Sequence, residues 1–269
     1  MTVSMAHSHA VSTRVTGRSV AAGETPDPHA GGSRFLSGLA LALGKGDLGV
    51  SQLLAAVELV RDDPCALGCW LAGVARDATT AAAVAARSYW HPNGFAKLVL
   101  HTSAKPEFKL RMHIWLDSAG SRRGETNPHS HRWDFASTVI AGQGILVPEY
   151  REDAESGAPF TRYRYGADPA YPARLIAEGG VHLVETRSPQ ILRGEVYACD
   201  TEVIHTLEPL GQDLTATVVV QGPHRTSVTA VFCAPCESED QPNRSLSVME
   251  LQELLSAVVA EVPGCSSRQ

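Results

Sequence analysis

The chain has 269 residues, 43% of them hydrophobic and 19% charged, with a formal net charge of −6 and a sequence pI near 6.0. That balance belongs to a globular protein long enough to bury a sizeable core, and it leaves no basic footprint for nucleic acid. No apolar run reaches membrane-spanning length and the start lacks the regions of a secretion signal, so the expectation is a cytoplasmic protein whose partners are small molecules, with no nucleic acid and no membrane.

Met1 to Gly32 is rich in Ser, Thr, Ala, Gly and His without a sustained apolar period and reads as a disordered tail. His7-Ser8-His9 lies in it, with nothing nearby to fix its geometry. Residues 33–90 shift to Ala and Leu, with helical spacing at Leu53, Leu54, Val57 and Val60 and again from Ala81 to Arg87. Pro64 separates two helical segments, and a layer of about three helices is expected as scaffold.

At Trp90-His91-Pro92-Asn93-Gly94 turn chemistry intervenes, and residues 91–235 read as one β domain. Phe95 to Thr102 is a strand. Phe108 to Leu116 alternates, with Phe108, Leu110, Met112, Ile114 and Leu116 on one face and Lys109, Arg111, His113 and Trp115 on the other. That second face is either a solvated sheet surface or the wall of a polar pocket. After a loop from Asp117 to Thr126 and the turn-forming Asn127-Pro128, the residues His129, His131, Trp133 and Phe135 occupy alternate positions. Read as one strand, they send two imidazoles and two aromatics to the same face, a chelating arrangement that suits Fe, Zn, Cu or Ni. The bland alternative is a pair of surface histidines.

Gly142-Gln143-Gly144 and Ile145 to Arg151 complete a hairpin in this reading. Phe160 to Tyr165 is strand-like, Ala173 to Gly180 an extended connection, and Val181 to Glu185 alternates again. Gly194 marks a turn before a strand, and His205 sits in an apolar strand with Val203 and Leu207 on its face. A histidine in such a setting is by default a satisfied core residue. Thr215 to Val220 and Thr226 to Phe232 close the sheet, and within residues 236–269 a helix is expected from Leu246 to Val262. The six cysteines read as reduced thiols. Cys233-Ala234-Pro235-Cys236 has redox or zinc spacing, yet no second pair completes a tetrahedral set.

Histidines spaced His-x-His after a Gly-rich loop, a glycine after the next strand, and a later glycine and histidine together resemble the two-part signature of cupins. The resemblance implies a mainly β jelly-roll barrel with a metal inside it. His129 and His131 match the first motif, Gly142 its terminal glycine, and Gly194 with His205 the second. Asp134 stands out of phase with the histidines, which favours three histidines over two and a carboxylate. Within cupins the likeness is to the cysteine dioxygenase group of thiol dioxygenases, over about Phe95 to Val220. That likeness implies Fe(II) held by His129, His131 and His205, O₂ as co-substrate, and a small amino-acid-like or carboxylate substrate touched by Lys97, Arg111, His113, Trp133 and Gln221. Lys97 stands where that group keeps a substrate-binding arginine, Ala136 where some members carry a cross-linking cysteine, and Gln221 where a tyrosine is expected. Those departures point away from cysteine itself as substrate. Two other readings stay open: a Zn or Ni isomerase or hydrolase, and a non-catalytic small-molecule-binding cupin.

Overall fold

The computed structural model describes residues 28–91, 93–116, 125–166, 175–234 and 243–263. His7-Ser8-His9, residues 117–124 of the loop before the histidines, and Cys236 lie outside the described residues. No helix among the described residues is long and apolar enough to cross a membrane.

Four helices come first, one more than expected: α1 (Pro28–Leu43), α2 (Val50–Asp62), α3 (Pro64–Arg76) and α4 (Ala78–Ala85). Helix α1 starts inside the segment read as a tail. Its Leu39 and Leu43 are buried and its Phe35 ring lies 5.1 Å from Trp70, so tertiary packing outweighs the poor local helix propensity of Gly31 and Gly32. Side-chain caps punctuate the layer. Asp63 accepts from the Ala66 N–H at 2.9 Å ahead of Pro64, whose missing donor costs nothing at the first helical position. Asp77 accepts from the Thr80 N–H at 2.9 Å to start α4. The last helix, α5 (Val248–Glu261), opens on a reciprocal Ser247–Glu250 capping box and packs on α3 and α4.

The β part is a jelly-roll barrel built from two antiparallel sheets. The first contains β1 (Tyr89–His91), β2 (Phe95–Ala104), β3 (Glu107–Trp115), β5 (Trp133–Ala141), β11 (Val196–Cys199), β13 (Thr215–His224) and β15 (Arg244–Ser245), in the order β11-β5-β13-β3-β2-β1-β15. The second contains β4 (Glu125–His129), β6 (Gly144–Leu146), β7 (Glu149–Asp153), β8 (Ala158–Tyr165), β9 (Leu175–Arg187), β10 (Gln190–Leu192), β12 (Ile204–Pro209) and β14 (Thr229–Cys233), in the order β10-β6-β12-β4-β14-β8-β9-β7. Strand β7 also pairs with β12, so β12, β4, β14, β8, β9 and β7 form a closed circuit of pairings.

The first sheet separates two cores by the parity of its strands. Leu98, Leu110, Met112, Ile114, Ala136, Val218 and Val220 face outward and pack under the helices with Leu53, Val57, Val60, Leu67 and Leu71. Phe95, Trp115 and Val139 face inward and meet Ile145, Val147 and Leu207. The inward face of β3 is thereby an interior wall and not a solvated surface. Arg225 fastens the layers together. Its guanidinium donates to Asp134 Oδ2 at 3.2 Å and to the Leu48 carbonyl at 2.6 Å, and it pairs with Asp47.

Three local expectations change. Asn127-Pro128 is not a turn but part of β4. Proline cannot donate to a ladder, and the β4–β12 pairing accordingly shifts register between His205 and Leu207, opposite that dipeptide. The stretch from His129 to Phe135 is not one strand: β4 ends at His129 in the second sheet and β5 begins at Trp133 in the first, with His131 at the corner. Strand β6 makes no hairpin with β5, because after Gly142 the chain crosses to the second sheet and pairs with β10 and β12.

Candidate metal centre

His129 and His205 are direct partners across β4 and β12, so their side chains leave the same face of the second sheet side by side. The corner residue His131 reaches the same space from the crossing between sheets. Ring centroids stand 4.9 Å apart for His129 and His131, 5.0 Å for His129 and His205, and 5.1 Å for His131 and His205. One nitrogen from each ring lies within 4.8 Å of the other two, a group that could hold a metal ion. His205 is 1% exposed.

Two observations test that fit. His131 Nε2 and His205 Nε2 are 3.0 Å apart. Two nitrogens bound at right angles to one ion at about 2.1 Å would stand about 3.0 Å from each other. The outer nitrogens are also oriented. His129 Nδ1 lies 2.9 Å from the Asn127 carbonyl, which only accepts, so Nδ1 carries the proton and Nε2 keeps its lone pair for the cluster. His205 Nδ1 lies 3.6 Å from Cys199 Sγ. Burial pushes the Cys199 thiol up to about 12, so it remains protonated and acts as a soft orienting neighbour. Asp134 is turned outward to Arg225, away from the histidines, as its parity on β5 requires.

Beside the cluster lies a pocket lined by Lys97, Arg111, His113, His131, Trp133, Phe135, Tyr197, His205, Leu207 and Val219. The cavity itself is only about 20 Å³, and with the open space at its mouth it comes to about 360 Å³. Lys97 is paired in register with His113, and His113 with Thr217, so one row of the first sheet brings three polar side chains to the inner wall. Four of the five residues expected at the substrate therefore share this space with two of the histidines. Gln221 does not line it. This residue is 1% exposed, on the inward face of β13 between Lys109 and Phe135, and its Oε1 has no hydrogen-bond partner among the described residues. Tyr197, Cys199 and Val219 were not singled out from the sequence. Tyr197 and Cys199 alternate after the Gly194 turn, which is a strand signal, but only the pairing of β11 with β5 shows that their side chains point inward.

No family model matches the chain, and no curated protein matches it. Solved structures with related backbones include an oxalate oxidase in complex with the substrate analogue glycolate, at 16% identity and a TM-score of 0.31 over 52% of this chain and 55% of that one. The matched part thus spans about half the length of that protein. A cupin domain from Bordetella pertussis Tohama I overlays at 14% identity and a TM-score of 0.28, over 49% of this chain and 95% of that one. An RmlC-like cupin from Shewanella frigidimarina NCIMB 400 overlays at 13% identity and 0.28, over 51% and 84%.

Proposed function

We propose that this protein is a non-heme Fe(II)-dependent oxygenase acting with O₂ on a small carboxylate or amino-acid-like substrate. The observation that carries the reading is the convergence of His129, His131 and His205 on one point beside a small pocket with a cationic wall. Three imidazoles leave room on an iron for substrate and O₂ together, and ferrous ion when bound supplies the one-electron chemistry that O₂ requires.

The chain's own residues do the rest. Lys97 offers a point charge and Arg111 a flat two-pronged donor, so together they hold a carboxylate while the substrate's other end faces the histidines. Phe135, Leu207 and Val219 exclude water from that end. The Asn127 carbonyl fixes the His129 ring, and Cys199 orients His205. No carboxylate among the described residues lines the pocket, so acid–base chemistry there falls to His113, Lys97 or Tyr197.

The test is anaerobic loading with Fe(II), Zn(II) or Ni(II), followed by O₂ consumption on a panel of small amino and carboxylic acids. Oxygen uptake matched to substrate loss with Fe(II) alone supports the proposal. Turnover without O₂ under Zn(II) or Ni(II) would replace it with an isomerase or hydrolase, and binding without turnover under any metal would leave a non-catalytic binding protein.

A further inference from the structure

The rim of the pocket carries more positive charge than one carboxylate needs. Arg111, which lines the pocket, places its guanidinium 5.0 Å from the Trp133 ring centroid. Arg132 places its own 5.6 Å from the same ring and 5.8 Å from that of Tyr165. Lys109 stands two residues before Arg111 on the inward face of β3, and His224 is the register partner of Trp133, its ring 5.1 Å away. Lys109 and Arg132 make no ion pair with a carboxylate among the described residues, and Arg132 Nε is buried with no hydrogen-bond partner there. The exposed Glu107 is a carboxylate that acts on Lys109 and His224.

Gathering like charges in half-buried positions is unfavourable unless something neutralises them. The strain is visible on the group least able to resist it. Burial, then the Arg111 and Arg132 guanidiniums, pull the Lys109 ammonium below its ordinary value, and burial with Arg132, Lys109 and Arg111 does the same to His224. The Trp133 ring holds the Arg132 guanidinium plane in place while leaving its N–H edge for a planar acceptor.

We infer that Lys109, Arg111 and Arg132, gathered around Trp133, form a second anion-recognising subsite, so that the substrate class is the small dicarboxylic acids. This rests on the reading of the pocket as a substrate site. One carboxylate lies toward Lys97 and His113, and the other end, which faces the histidines, carries its carboxylate over Trp133, whose ring is 5.7 Å from that of His131. Arg111, between the two positions on β3, contacts both ends. Adjacent inward positions on that strand are about 7 Å apart, a separation matched by the two carboxylates of an extended diacid of about six carbons.

The experiment is calorimetric titration of the full-length chain, loaded with redox-inert Zn(II) and held at constant ionic strength. The probes are succinate, glutarate and adipate, each against the monocarboxylate of equal carbon number. Metal content is measured in every sample. The expected result is a dicarboxylate that binds about tenfold more tightly than its monocarboxylate, one charged hydrogen-bonded contact being worth at least that factor. Lys109→Met and Arg132→Met should each remove the preference while leaving monocarboxylate affinity and zinc content unchanged. Equal affinity for mono- and dicarboxylates, or a preference that survives in the double variant, overturns the inference. Loss of zinc binding by the wild type with the preference intact would instead count against the metal reading alone. Lys109 lies outside the histidine segment, so its variant keeps the test valid if Arg132→Met does not fold.

Discussion

Replacing Gly142 and Gly194 by alanine, one at a time, asks whether these two glycines are required for the same reason. Both have positive φ, 84° at Gly142 and 83° at Gly194, where an L side chain is disfavoured by about 1 to 2 kcal/mol. Their surroundings differ. A Cβ at Gly142 would stand 2.7 Å from the Leu214 carbonyl oxygen and 2.6 Å from Thr215 Oγ1, whereas one at Gly194 meets nothing within 4 Å. The Leu214 contact is backbone leading into β13, which cannot swing aside without moving the strand that carries Val219 and Gln221. Gly194→Ala should therefore cost only about 1 kcal/mol, and Gly142→Ala about 2 to 4 kcal/mol once backbone crowding is added to the dihedral cost. Urea unfolding followed by circular dichroism measures both, with an unchanged slope as the check that the unfolded state is comparable. Equal costs for the two variants would refute the argument, since crowding would then contribute nothing.

Other consequences follow from the pocket and the surface. Lys97→Met and Arg111→Met should each lower kcat/KM by roughly thirtyfold, about 2 kcal/mol for a lost charged hydrogen bond, with metal content unchanged; wild-type kinetics in both would remove them as anchors. The Arg244 guanidinium, with Ser247, holds the Glu250 carboxyl down at about 2. A depressed folded-state value means the stabilisation is present above the ordinary 4.5 and fades as pH falls from there toward 2, so wild type should lose its advantage over Glu250→Gln across that window in pH-dependent melts. At pH 8 iodoacetamide should label the exposed Cys65 and Cys69 well before the buried Cys199, read by peptide mass spectrometry; prompt Cys199 labelling would contradict its burial.

Much of the β domain is legible in the sequence because a strand period of two survives any tertiary arrangement. The alternation of Phe108 to Leu116 assigns each residue to the helical core or the barrel interior, and the structure keeps that assignment. The corner at His131 is not legible in the same way. A period of two says which residues share a face only while the strand continues, and nothing local marks where the chain leaves one sheet for the other. The histidines converge regardless, since His129 is set by its pairing with His205 and His131 by the corner. Pro128 gave a turn signal that the bulge opposite it absorbs. Tyr197 and Cys199 acquire their meaning only from the long-range pairing of β11 with β5, and Arg132 and Lys109 only from both sheets meeting at the Trp133 rim.

On the proposed reading, His129, His131 and His205 hold one metal ion together. That reading is tested most directly by metal analysis of wild type and of the His129→Ala, His131→Ala and His205→Ala variants after anaerobic loading and desalting, with folding checked by circular dichroism. The account predicts about one ion per chain in the wild type and near-complete loss in each folded variant, because two imidazoles alone make a weak site. A folded His205→Ala protein that retains its full metal content would contradict it.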